Sequence, residues 1–140
     1  DEDMLQVVTM VYGGLVNKNI VAGLQARGVN ALGLTGADCN IITAHKRPVK
    51  TIDYGFVGDV DSADGKMLSN LIEQGITPIV APLTHDGKGN MLNTNADTMA
   101  ALVIKIHREG LRLDGKEIKK QYEKYKKENK KIIEHLKDYL

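Results

Sequence analysis

The sequence has no run of about 18 consecutive apolar residues, so no membrane-spanning helix is expected of it. It has one cysteine, Cys39, which excludes an internal disulfide framework and makes a reducing cytoplasm the default compartment. It opens on Asp1, Glu2 and Asp3 rather than on a basic stretch followed by an apolar one, so export is not expected. Its four histidines, His45, His85, His107 and His135, lack ligand spacing, and no metal site is expected. Gly13-Gly14 has no strand before it and no Gly-Lys-Ser/Thr after it, which argues against a phosphate loop. Close packing of a helix against another helix is the better reading of that pair. No internal repeat or low-complexity block is apparent.

What is present fits one compact domain. A chain of 140 residues with 42% hydrophobic content can bury a core. The net charge of +1 conceals an asymmetry. Residues 1–104 carry 7 Lys and Arg against 11 Asp and Glu, whereas residues 105–140 carry 12 against 7. Such a shift divides the chain into a segment 1–100 and a Lys-rich tail 101–140 with a different history or job.

Hydrophobic periodicity and punctuation predict the elements. Asp1 or Asp3 caps a helix that runs through Met4, Leu15, Ile20 and Leu24, with Gly28 as the stop. Its apolar residues wrap more than one face, which predicts a well-buried helix. Asn30 to Gly36 reads as a short buried strand, and Ile41 to Ala44 and Ile52 to Val60 as two more. Asp64 starts a second helix that Gly75 closes. Ile76 to Leu83 reads as a central strand despite Pro78 and Pro82. The turn at Asp86-Gly87 predicts a hairpin between Ile79–Leu83 and Met91–Asn93. Asn95 or Asp97 begins a third helix to about Arg108. Strands alternating with helices predict an α/β layered fold.

The tail carries Ile118, Tyr122, Tyr125, Asn129, Ile132, Leu136 and Tyr139 at alternating steps of four and three. An amphipathic helix laid on the α/β core is the first reading of that pattern, and a short coiled-coil seam the second. The tail lysines alternate with glutamates, which favours an ion-paired helix face over nucleic-acid binding. The stretch His45 to Lys50 is a small basic patch and reads as a solvated strand connection.

Four stretches carry a family resemblance. They are Val7-Val8-Thr9-Met10-Val11-Tyr12-Gly13-Gly14-Leu15-Val16-Asn17-Lys18, Gly33-Leu34-Thr35-Gly36-Ala37-Asp38, Gly55-Phe56-Val57-Gly58-Asp59-Val60, and Asn93-Thr94-Asn95-Ala96-Asp97-Thr98-Met99-Ala100. In order and spacing, over about 100 residues, the chain resembles the N-acetylglutamate kinases of the amino-acid kinase family. The resemblance implies a partial three-layer α/β sandwich with a largely parallel sheet. It also implies phosphorylation of the γ-carboxylate of an N-acylglutamate by ATP with Mg, a step of arginine biosynthesis. It places Asn93 as a substrate-binding residue and Asp97 as the acidic residue that organises catalytic lysines. Phosphoryl transfer to a carboxylate brings two anions together, so positioning and positive charge dominate the catalysis. Asn93, Asn95 and Asp97 are also residue types that turns and helix caps favour for local reasons.

The resemblance further implies what is missing. The family's Lys-x-Gly-Gly loop, its second glycine-rich loop and its substrate-gripping arginine precede the region that matches from Asp1. Its second catalytic lysine follows the region that ends near Ala100. None is recognisable in residues 1–140, so tight binding of ATP and turnover by the chain alone are not expected. The helix Met4–Leu24 lies at a subunit interface in the family, which predicts a homo-oligomer. A different reading is a non-catalytic scaffold or oligomerisation module in which the tail helix replaces the missing lobe.

Overall fold

The computed structural model describes residues 1–109 and 112–114, together with positions 116, 120, 123, 124 and 127. The chain starts as the caps dictate. The Met4 N–H donates to the Asp1 carboxylate at 2.8 Å, and Glu2 and Asp3 place negative charge in the first turn. One continuous rod follows, made of α1 (Glu2–Val8), a π-helical stretch (Thr9–Val16) and α2 (Asn17–Gln25). Gly28, at φ +77, takes the left-handed turn beyond it.

After this rod come β1 (Ala31–Leu34), a short 3-10 turn (Asp38–Asn40), β2 (Ile42–Lys46) and β3 (Gly58–Asp64). The chain continues through α3 (Gly65–Glu73), β4 (Thr77–Val80), β5 (Leu83–His85), β6 (Met91–Asn93), α4 (Ala96–Glu109) and β7 (Arg112–Asp114). Strands β1 and β4 pair in parallel, and the other five follow the order β6-β5-β2-β3-β7. The two sheets are stitched where β1 ends. Ala81 N–H donates to Leu34 O, Gly36 N–H to Leu83 O, and Ile42 N–H to Gly36 O, all within 2.8 Å. A Cβ on Gly36 would stand 2.8 Å from the Leu83 carbonyl oxygen, so this crossing requires glycine.

The layers follow from side-chain alternation along β1. Gly33 faces α2, where a Cβ would collide with Asn17 Oδ1. Leu34 faces the opposite way, into a core with Ile41, Ile42, Ala63, Leu68, Met99 and Leu102. Helix, sheet and helix therefore stack in three layers, as expected.

Several expectations need correction. The sheets are not largely parallel: among the described residues β1–β4 and β2–β5 run so, and β2–β3, β3–β7 and β5–β6 are antiparallel. Parallel pairing needs a crossover of a dozen or more residues, and the β5–β6 link is a tight turn. The strand expected from Ile52 begins only at Gly58, because Gly55 sits at φ +65 and its N–H donates to the Asp53 carboxylate at 2.8 Å. That Asx turn breaks extension. The strand expected over Ile76–Leu83 is split in two. Pro82 has no N–H, and Leu83 N–H donates back to Ala81 O at 2.8 Å, which swings the chain from one sheet to the other. The rod was expected to be well buried, yet Asn17 is its only buried residue, and Met10 and Leu15 are 64% and 63% exposed.

Averaged over 18 residues, Glu2–Gln25 reaches a mean hydropathy of 1.3, long and apolar enough by composition to cross a membrane. Counting only consecutive apolar residues overlooked this. Its Asn17 and Lys18 side is bonded to the backbone of the β1–β4 sheet, the arrangement of a sheet-covering helix. Gly13 packs against the sheet rather than a helix, with its Cβ position 3.1 Å from Leu83 Cδ1, and Gly14 meets nothing.

Other expectations match. Asp64 caps α3 through Lys66 N–H and Met67 N–H, and Gly75 at φ +75 follows its end. Strands β5 and β6 form the hairpin, Leu83 opposite Asn93. Asn95, not Asp97, caps α4: its Oδ1 accepts from Thr98 N–H at 3.0 Å. The seam expected from Ile118 to Tyr139 lies outside the described residues.

Candidate functional site

Asn93 ends β6, and three independent bonds fix the segment that carries it. Its own N–H donates to Phe56 O at 2.9 Å. The next residue, Thr94, is buried, and its hydroxyl meets that of Thr84 at 2.8 Å. The Thr94 N–H donates to Pro82 O at 3.0 Å, and Asn95 then caps the helix. Buried polar groups of this kind are favourable only when paired, so the Thr84–Thr94 contact holds the register of the hairpin. Gly58 leaves room for it, because a Cβ there would come within 3.1 Å of both hydroxyl oxygens.

A cavity of about 100 Å³ opens at Asn93. Asp1, Met4, Leu5 and Val8 of α1 form one wall, and Tyr54, Phe56 and Val57 of the β2–β3 connection form the other. The lining is mostly apolar, with Asn93, Asp1 and Tyr54 as the residues that carry polar side-chain groups. Such a site suits a small molecule that is part hydrocarbon, part polar.

Asp97 lies elsewhere. It stands exposed in the first turn of α4, outside the lining of that cavity. Among the described residues no lysine is ion-paired with it. The structure therefore puts Asn93 and Asp97 on one continuous segment, separated by the cap at Asn95, without joining them in one cavity.

The residues that shape the far wall were not picked out by sequence. Arg47 forks onto Asp59 with Nε–Oδ1 at 3.0 Å, Nε–Oδ2 at 3.3 Å and Nη2–Oδ1 at 2.7 Å. The hydrogen bond that Arg47 donates to Asp59 raises the Arg47 pKa against the opposing effect of burial. The guanidinium also lies 5.3 Å from the centre of the Tyr54 ring, and Lys46 Nζ lies 4.6 Å from that of Phe56. A bulge in β3, between the Thr43–Ser62 and Ala44–Val60 pairs, leaves Asp61 opposite no residue of β2. His45 Nδ1 meets its carboxylate at 2.6 Å. The basic patch is thus ion-paired and stacked rather than merely solvated, and a spacing of 12 residues between Arg47 and Asp59 gives no local signal.

Asn17 is the other residue the sequence did not single out for a role. It is 3% exposed, and its Nδ2 bonds Ile79 O at 2.9 Å and Leu34 O at 3.4 Å, joining β1 to β4. Lys18 Nζ reaches Asn17 Oδ1 and Gly33 O, each at 3.1 Å.

Comparisons with known proteins agree with this architecture. Acetylglutamate kinases from Bacteroides fragilis and Bacteroides thetaiotaomicron are 71% and 70% identical over 105 residues, which is 75% of this chain. One from Methanopyrus kandleri is 44% identical over 107 residues, 74% of this chain. The chain spans about 40% of the length of the Bacteroides relatives and 44% of the Methanopyrus one. A crystal structure of smu.665 from Streptococcus mutans superposes with a TM-score of 0.62 at 30% identity, over 75% of this chain and 43% of that one. Residues 1–105 match the amino acid kinase family as a whole, and with the three-layer arrangement around β1 and β4 this means that the chain belongs to that family.

Proposed function

We propose that residues 1–105 are the substrate-side segment of an acetylglutamate kinase. In this reading the cavity at Asn93 takes the acyl and carbon-chain part of an N-acylglutamate, with the Asn93 amide bonding its polar groups. Asp97 is the organiser of the lysines that neutralise the moving phosphate. The observation that carries the reading is a largely apolar cavity lined by Asn93, in a segment matched at 71% identity by acetylglutamate kinases.

Phosphoryl transfer between two anions needs cations placed around the transferring group. Among the described residues no lysine pairs with Asp97. In this reading the 140-residue chain keeps the substrate scaffold and turns over no substrate alone. Hydroxylamine trapping of acyl phosphate from ATP and N-acetylglutamate should give no signal above blank. Steady turnover would overturn the inactivity, and its loss in Asp97→Asn with folding intact would then locate the site.

One observation favours a second role beside this one. Met4, Val7, Met10, Val11, Leu15 and Ile20 are exposed along one rod. An apolar surface of that kind marks an interaction face. Self-association through Met4–Leu24 is the partner reading, and an oligomerisation module is the function left if substrate binding fails.

A further inference from the structure

We propose that Arg47 is a positioning residue for the Asn93 cavity, acting through the 48–57 connection. The inference rests on the reading of that cavity as the acylglutamate site. Residues Tyr54, Phe56 and Val57 form one wall of it, and each is held by Lys46 or Arg47. The Arg47 N–H donates to Val57 O at 2.8 Å and closes the base of the connection. Its guanidinium reaches past that point to Asp59, with its central carbon 5.3 Å from the centre of the Tyr54 ring. Phe56 O, in turn, accepts the Asn93 N–H. An unbroken series of contacts therefore runs from Asp59 through Arg47 to the wall, and from the wall to the backbone N–H of Asn93, a residue that lines the cavity.

Tyr54 of this wall is 54% exposed. Behind it is a second space of about 530 Å³, lined by Arg47, Lys50, Ile52, Tyr54 and Asp59 among others. Tyr54 lines both spaces, so it is the partition between them. If Arg47 releases it, the partition has room to swing outward. The connection already carries the left-handed Gly55 and an Asx turn, and neither supplies a tie to the core.

Magnitudes separate this role from a merely structural one. The Arg47 and Asp59 side chains are 38% and 39% exposed, so their pair adds at most about 1 kcal/mol to stability. Loss of Arg47 should thus spare the fold and loosen the wall. Lysine should not replace it, since an ammonium offers neither the two-pronged fork nor a plane to stack on Tyr54.

The test compares the unaltered chain with Arg47→Ala and Arg47→Lys by residue-resolved amide exchange. Expected is at least a tenfold faster exchange of the Asn93 amide in both variants. The Ala81 amide, bonded to Leu34 O, should be unchanged and the thermal midpoint should stay within about 4 °C. Unchanged protection at Asn93 in Arg47→Ala, or full recovery in Arg47→Lys, overturns the proposal. A titration with N-acetylglutamate, followed at the same amide, forms the second arm. A response in the unaltered chain that weakens at least tenfold in Arg47→Ala supports both readings. No response in the unaltered chain, with faster exchange in the variants, sinks the substrate reading and leaves the positioning role standing.

Discussion

The β1–β4 sheet is covered by helices on both faces, and the two covers are built from opposite chemistry. On one face α3 and α4 contribute Leu68, Met99 and Leu102 to an apolar core with Leu34 and Ile42. On the other, α2 attaches through an amide and an ammonium, Asn17 and Lys18, bonded to strand carbonyls. An apolar cover is held by area removed from water and tolerates sliding; a polar clamp is directional and fixes one position. The difference explains why the rod can point its apolar residues outward. Its docking does not need them, so they remain available for another surface.

The largest expected effect lies on the apolar side. Leu68→Ala removes a fully buried side chain and should cost about 2–5 kcal/mol, read from urea denaturation followed by circular dichroism. On the polar side Asn17→Ala should cost less, about 1–3 kcal/mol, because it strips bonds from two strand carbonyls but opens only a small void. If Asn17→Ala proved the more damaging, the clamp rather than the core would organise the sheet. Leu15→Asp, on the outward side of the same rod, should change monomer stability by about 0.5 kcal/mol or less. It should instead lower the sedimentation mass at micromolar concentration if the rod self-associates. A monomeric mass for the unaltered chain would sharpen the comparison differently, by leaving the apolar stripe without a second copy.

How far this contrast was legible in the sequence depends on the range of the contacts. Caps and turns are local, so Asp64, Gly75, Gly28 and the Asp86-Gly87 turn announce themselves in a few residues. Asn95 was one of two candidates for the α4 cap, and only the bond to Thr98 decides between it and Asp97. Exposure of the rod was not legible, because apolar residues around a helix fix amphipathicity and not which side meets the sheet. The break at Pro82 was hidden by the β-branched run on its N-terminal side, which reads as extended whichever sheet it joins. Asn17 and the Arg47–Asp59 pair act across 12 to 62 residues of sequence, where periodicity carries no information. Asn93 and Asp97 came from family resemblance, and the geometry puts Asn93 alone at the cavity.

The smallest effect concerns the β5–β6 turn, far from both covers. Asp86 accepts from the Asn90 side chain at 2.7 Å and from Lys88 N–H at 2.8 Å. The Asn90 side-chain bond is the leading cause, with the Lys88 backbone bond next, of a pKa lowered to about 2. A carboxylate held below its ordinary value stabilises the fold above that ordinary value. The contribution fades as pH falls and is gone below about 2. The group lies on a surface turn, so the melting temperature should hardly register it. A carbon-detected titration of the Asp86 carboxyl should find its midpoint near 2, and Asn90→Ala should move it upward toward 3.8. A midpoint unmoved by that substitution would mean that the backbone N–H groups of Lys88 and Asn90 hold the carboxylate without the Asn90 side chain.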